Sequence, residues 1–287
     1  MSIGQTRFTA LVGCRLPFQL AVLGGVGTTE LAAAVTAAGG LGMVPYGVAP
    51  PGRDIGPAGI GFLVPFLPSS GVVTEQARGV RVAEFFFGDP APDVVEAGHA
   101  GGALVSWQVG SAEEARAARD AGCDLVVAQG VEAGGHVRGT EPLDRLFAAV
   151  LRAVELPVVA AGGIGTPERV AQLIAGGADA VRVGTRFLAS PECNVHPEYV
   201  GALLDATSAE AVLTDHFDEG GAWPATVRVL SRALDSARLA GNRSTLPPTP
   251  AANDPLAMAC YAGLSVGDLR QVASARQVVE ELTAQLR

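Results

Sequence analysis

The chain has 287 residues, 48% of them hydrophobic, with 37 glycines and 19 prolines. That profile belongs to a globular fold with many tight turns and buried strands, and it excludes a disordered chain. A formal charge of −9 and a pI of about 4.9 argue against a nucleic-acid partner, since phosphate backbones are held by basic patches.

The first residues lack a basic stretch followed by an apolar run, so no signal peptide is expected. Pro17 to Val22 reads as a first strand, and Gly24-Gly25-Val26-Gly27 turns the chain. Thr28 or Thr29 caps a helix from Glu30 to Ala38 that Gly39-Gly40 ends. Leu41 to Val44 is a second strand. The uncharged stretch from Leu31 to Gly52 is therefore read as helix, turn and strand, not as a membrane span. Further strands are expected at Ile60 to Val64, Val82 to Phe86, Ala103 to Trp107 and Asp124 to Ala128. Asp89-Pro90 opens a short helix. Ser111 with Glu114 gives a capping box for the next, and Leu143 to Val154 is helical. Four scattered cysteines, Cys14, Cys123, Cys193 and Cys260, form no CxxC pair. They fit a reducing, cytoplasmic compartment and not a disulfide scaffold or zinc site.

The densest signal runs from Pro157 to Ala189, PVVAAGGIGTPERVAQLIAGGADAVRVGTRFLA. It reads as strand, glycine turn, helix, strand, glycine turn, a βαβ unit. Thr166-Pro167-Glu168 is a helix start, with a cap, a proline whose missing N–H costs nothing, and an acid in the first turn. Ala161, Gly162, Gly163 and Gly165, alone, fit either close helix–sheet packing or an anion site. With Gly184-Thr185 ending the next strand, a phosphate cradle of backbone N–H groups is favoured. No GxxxxGK[ST] is present, and the glycines do not fit a Rossmann fingerprint.

Eight short, mostly apolar strands separated by helices predict parallel strands covered on both sides. The count favours an α/β fold of the (β/α)₈ TIM-barrel type, with a doubly wound open sheet as the alternative. Residues 1–287 are read as a single domain. A C-terminal helical excursion from about 190 to 260 packs on the barrel, with helices at Val200 to Asp205 and Thr226 to Leu239. A proline-rich loop from Asn242 to Asp254 precedes a closing helix between Val266 and Leu286.

In such a barrel, ligands sit at the carboxyl ends of the strands. His136 follows Gly134-Gly135 in a loop there, and its imidazole suits proton abstraction near neutral pH. Gln129 could pair with a heterocycle edge, and Glu132 could orient His136 or face solvent. Arg182 could pair with a phosphate, Asp179 or Glu168. Phe66, Phe86 and Trp107 are candidates for the pocket lining. His99, His196 and His216 read as structural, and Cys193 as a nucleophile only if paired with His196. No acid or histidine cluster supports a metal site.

With QLAVLGGVGTTELAAAVTAAGGLG, GVEAGGH, AAGGIGTPERV and ADAVRVGTRFLASPEC, the chain resembles the nitronate monooxygenase family, formerly 2-nitropropane dioxygenases. The resemblance implies FMN as cofactor. Gly162, Gly163 and Gly165 would wrap its phosphate with Gly184 and Thr185, and Gln129 would touch the flavin. Ala21, Leu23, Gly24 and Gly25 would lie under the isoalloxazine, with Ala161, Gly134 and Gly135 completing the cofactor site. It implies oxidation of alkyl nitronates by dioxygen to a carbonyl compound and nitrite, with His136 as base or, alternatively, as the group that orients a nitronate arriving already deprotonated. Relatives include NAD(P)H-dependent reductases of enoyl thioesters or quinones, which makes that the alternative activity; a non-redox phosphate-ligand barrel is the second. Expected partners are a small-molecule substrate and dioxygen, with NAD(P)H and a second copy of the chain as further candidates, and neither nucleic acid nor membrane. Three departures stand out: AVLGG where the family often carries methionine, Leu63 where it carries asparagine, and Arg182 where it often carries glutamine.

Overall fold

The computed structural model describes residues 5–67 and 69–286. Among these, eleven strands are numbered along the chain. Those at β1 (Phe18–Leu20), β2 (Gly42–Pro45), β3 (Ala58–Leu63), β4 (Val82–Phe86), β5 (Leu104–Val109) and β6 (Leu125–Gln129) belong to one parallel sheet. The two-residue β7 (Gly135–His136) leaves it, and β8 (Val158–Ala161) and β9 (Ala180–Val183) complete it. The order is β1-β9-β8-β6-β5-β4-β3-β2. A parallel bridge between Gln19 and Leu41 joins its first and last members, with the Leu20 N–H on the Leu41 carbonyl at 3.0 Å. The sheet is thus an eight-stranded barrel, and its strands are apolar throughout because both faces are covered: all five residues of β6 are buried.

Helices α2 (Thr29–Ala38), α3 (Ser70–Ala77), α4 (Pro92–Ala100), α5 (Ala112–Asp120), α6 (Leu143–Ala153) and α7 (Pro167–Ala175) cover the barrel; a loop joins β2 to β3. A short α1 (Arg7–Val12) precedes them, with Phe8 and Val12 buried. Arg7 ties α1 to the amino ends of β8 and β9: its Nη2 donates to Asp179 Oδ2 at 2.6 Å, and its Nη1 to the Glu155 carbonyl at 2.6 Å. Asp179 also accepts the Val158 N–H at 2.9 Å.

The caps read from sequence form in part as expected. Thr28 is the cap of α2 and Thr166 that of α7. Ser111 accepts from the Glu114 N–H at 3.1 Å, but Glu114 accepts from the Gly110 N–H instead of closing the box. Helix α4 starts at Pro92 and not at Asp89, whose carboxylate pairs with Arg138 at 2.5 Å.

After β9 come α8 (Pro197–Asp205), β10 (Ala211–Thr214), β11 (Val227–Leu230) and α9 (Ser231–Ala240). Thr226 to Leu239, expected to be one helix, is thus a strand followed by a helix. The Val-Arg-Val-Leu alternation pairs antiparallel with β10 on one side and with β7 on the other, which β-branched residues favour. The closing helix α10 (Ala275–Leu282) is shorter than expected and packs against α7 and α2. It fills the last place in the helical ring, so everything from 190 to 274 is an insertion between a barrel strand and its helix.

Helix α2 lies so close to β2 that Gly42 has no room for a side chain: a Cβ there would stand 2.1 Å from the Ala32 carbonyl oxygen. Gly42→Ala is expected to cost about 3 kcal/mol, at the upper end of overpacking effects, in urea unfolding followed by circular dichroism. Gly71→Ala, where the Cβ would meet open space, should leave the midpoint within error or raise it.

Candidate active site

At the carboxyl ends of the barrel strands lies a cavity of about 410 Å³, within the range of about 300–1,000 Å³ usual for small-molecule sites. Ala21, Leu23, Gly24, Gly25, Gln129, Gly134, Gly135, His136, Ala161, Gly162, Gly163, Gly184 and Thr185 all contribute to its wall. Gly165 does not: its Cα faces Ser265 and Asp268, so it serves packing and not the cavity.

The glycine turn after β8 is built for backbone exposure. Gly162 and Gly163 have φ of +111° and +66°, conformations that side chains disfavour. Neither amide finds a backbone acceptor among the described residues. The Thr185 hydroxyl accepts from the Gly263 N–H at 3.0 Å, bringing the C-terminal segment to the cradle. Gly263 and Ser265 thereby join the cavity wall. These two were not foreseen; they lie far along the chain in a segment without a local motif.

His136 is fixed from two sides. Gln129 Nε2 donates to the His136 carbonyl at 3.0 Å. In β7, His136 pairs in register with Val227 of β11. Arg228, buried beside it, donates to the Val131 carbonyl at 2.7 Å and to the Ala211 carbonyl at 2.7 Å, tying the His136 loop to β10. Glu132 does not orient His136. Its carboxylate accepts from the Leu143 N–H at 3.1 and 3.0 Å, at the first residue of α6, where free amides favour an anion.

Rings surround the imidazole. Trp223 stacks on it with centroids 4.1 Å apart, Tyr261 stands 5.6 Å away and Phe87 meets it edge-on at 5.9 Å. Phe87 holds φ at +66°, which costs a non-glycine residue about 1–2 kcal/mol, and its ring also touches Trp223. The strain therefore sits beside the imidazole. Burial lowers the His136 pKa to about 4, so the ring is neutral at ordinary pH. Its Nε2 is enclosed without a hydrogen-bond partner among the described residues, as is the Trp223 Nε1. Trp223 and Tyr261 come from the insertion, which is why no local pattern announced them.

Other expectations are redistributed. Phe66 and Phe86 line the cavity; Trp107 does not, being fully buried with its Nε1 on the Gly88 carbonyl at 3.0 Å. Arg182 pairs with neither Asp179 nor Glu168 but with Glu84, at 2.5 Å across the barrel. His99 bonds Asp124, His196 accepts from the Glu198 N–H at the start of α8, and His216 meets the Asn242 carbonyl. Cys193 is buried, its Sγ donates to the Val26 carbonyl, and burial pushes its thiol up to about 12. It is no nucleophile. No group of three or more His, Cys, Asp or Glu side chains suited to a metal occurs among the described residues, and none of their helices is long and apolar enough to cross a membrane.

Comparison with known proteins gives a consistent family. The nitronate monooxygenase family model matches residues 69–285. A proposed monooxygenase of Mycobacterium tuberculosis, Rv1533, is 34% identical over 228 residues, spanning 72% of this chain and 59% of that protein. A nitronate monooxygenase of Pseudomonas aeruginosa is 32% identical over 272 residues, spanning 72% of this chain and 76% of that one. Among solved structures, FabK of Thermotoga maritima superposes with a TM-score of 0.81 at 28% identity, covering 98% of this chain and 96% of its own. A nitroalkane oxidase of Streptomyces ansochromogenes superposes with a TM-score of 0.77 at 29% identity, covering 97% of each chain. With the barrel, the glycine turns and the histidine loop in place, the chain belongs to the nitronate monooxygenase family of flavin-dependent oxidoreductases.

Proposed function

We propose that this protein binds FMN and oxidises alkyl nitronates with dioxygen to a carbonyl compound and nitrite, with His136 taking the acidic proton of the parent nitroalkane. The observation that carries the reading is the meeting, in one cavity wall, of a glycine cradle with free amides and a buried neutral imidazole.

The residues present fit FMN. Gly162, Gly163, Gly184 and Thr185 offer backbone donors and a hydroxyl where a phosphate would be held. The Gln129 Oε1 is buried with no partner among the described residues, an acceptor left for a ring N–H. Ala21 to Gly25 supply a smooth wall for a flat ring, and the first-strand change to AVLGG leaves that wall apolar. Bound there, FMN supplies the electron acceptor that the side chains lack.

The protein's own part is proton transfer and exclusion of water. The His136 ring makes no hydrogen bond through either nitrogen among the described residues, so one lone pair is available to a substrate proton. Burial disfavours the imidazolium, and the carbanion formed beside it offsets that penalty by Coulomb attraction. Trp223, Phe87 and Phe66 keep the surroundings apolar, which suits a substrate that enters neutral.

The likeness to FabK supports a second reading, a reductase in which NAD(P)H reduces the flavin for an enoyl thioester or quinone acceptor. Rapid anaerobic bleaching of the purified yellow protein by NAD(P)H, with no reduction by nitroethane, would favour that reading over the first.

Under the nitronate reading, nitroethane should drive oxygen uptake with nitrite release. His136→Gln should retain flavin but lower kcat/KM for neutral nitroethane by about 10²–10⁴-fold, the usual worth of a general base, with a smaller loss for preformed ethylnitronate. Equal losses for both would remove the base assignment. Because the base must be unprotonated and its pKa is lowered, kcat/KM for nitroethane should hold as pH falls through 6.5 and drop only towards pH 4. Gly184→Val, whose Cβ would already stand 3.2 Å from that of Ala21, should weaken FMN binding at least about tenfold, or about 1.4 kcal/mol, in a flavin-fluorescence titration.

A further inference from the structure

The interior of a parallel barrel is ordinarily filled by layers of branched apolar side chains. In this one, a layer is polar and charged. Arg182 on β9 lies in register with Gln19 on β1. Its Nη2 donates to Glu84 Oε1 on β4 at 2.5 Å, and its Nη1 donates to Gln108 Oε1 on β5. Gln19 Nε2 donates to the other carboxylate oxygen of Glu84 at 2.9 Å. The Arg182 and Glu84 side chains are 6% and 2% exposed. Arg182 Nε remains buried without an acceptor among the described residues.

Stability is a poor reason for such a pair. Desolvation of two buried ions costs several kcal/mol each, and an apolar replacement is often as stable. The position is more telling. Arg182, Glu84 and Gln108 all belong to the cavity wall, and Arg182 lies just before the Gly184-Thr185 turn. An unsatisfied donor and a charge pair in a low-dielectric wall act strongly on any charge that develops beside them.

We propose that the Arg182–Glu84 pair sets the electron affinity of the flavin held in this cavity, Arg182 favouring and Glu84 opposing the negative charge of the reduced ring. The proposal rests on the flavin reading above. Hydride from a nicotinamide, or two electrons from dithionite with one proton from solvent, reduces the isoalloxazine and leaves it with one net negative charge. A neighbouring guanidinium stabilises that charge, and its carboxylate partner moderates the effect.

The test is the two-electron midpoint potential of the FMN-loaded protein, by dithionite titration against a reference dye, together with sulfite affinity read from loss of flavin absorbance. Arg182→Gln should lower the potential by about 30 mV or more, the equivalent of tenfold for a two-electron couple, and weaken sulfite binding at least about tenfold. Glu84→Gln should move both in the opposite direction, and Arg182→Lys should restore part of the loss. A merely structural pair would loosen FMN or the fold in both variants alike, so unmoved potentials or shifts of the same sign overturn the proposal. If Arg182→Gln does not fold, Glu84→Gln alone decides: a raised potential supports the proposal and an unchanged or lowered one overturns it. Wild-type protein that takes up no FMN removes the flavin reading and this proposal together, whereas bound FMN with unshifted potentials removes this proposal only.

Discussion

The backbone amides of Gly162 and Gly163, just past strand β8, find no carbonyl among the described residues, and the cavity wall is arranged around that deficit. Within a parallel strand the amides bond neighbouring strands, but past its end those partners are lost, and the turn must satisfy its amides or offer them to a ligand. Positive φ at both glycines turns the chain sharply towards α7. The Thr185 hydroxyl accepts from the Gly263 N–H and draws the C-terminal segment to the same part of the wall. The result is a turn of exposed amides, proposed above to hold a phosphate, whose walls come from two neighbouring strands and a distant loop.

The insertion between β9 and α10 does a different job. It completes no part of the barrel sheet, yet it determines the environment of His136. Strand β11 holds the histidine by main-chain pairing, and Arg228 reaches the Val131 and Ala211 carbonyls, so the loop cannot swing out without exposing a buried guanidinium. Trp223 covers one face of the imidazole. The lowered pKa of His136 follows from this cover and not from any nearby cation, since burial is its cause. A histidine on the bare barrel rim would titrate near its ordinary value. The insertion thus converts an ordinary loop residue into a neutral, enclosed one.

The polar layer of Gln19, Glu84, Gln108 and Arg182 links barrel to cavity. Its members come from four strands, and each supplies or accepts a hydrogen bond that holds another in place. Such a network makes the barrel floor rigid as well as charged. It also gives the buried arginine its partner: the carboxylate on β4 is aimed there. Leu63 lines the same cavity, so the β3 side of the wall is apolar while the β9 side is charged.

Much of this was legible in the linear chain. The eight strands, the caps Thr28 and Thr166, the glycine turns and the histidine loop are local patterns, each a consequence of residues within one turn or one strand of each other. Residue spacing carries that information because side-chain period and allowed φ are properties of neighbours. What the spacing could not carry was pairing. Arg182 and Glu84 are 98 residues apart, and Thr185 and Gly263 are 78 apart. Glu132 read as an orienter of His136 or a solvent-facing acid, and packing instead aimed it at the first amide of α6. The strand at Val227–Leu230 carried a helix-compatible pattern until β10 and β7 offered it edges. By itself the sequence determined the barrel and the backbone cradle, because these follow from local sterics and periodicity. Closure of the barrel decided which charges meet inside it and which rings enclose the histidine, because those contacts exist only once distant strands share one wall.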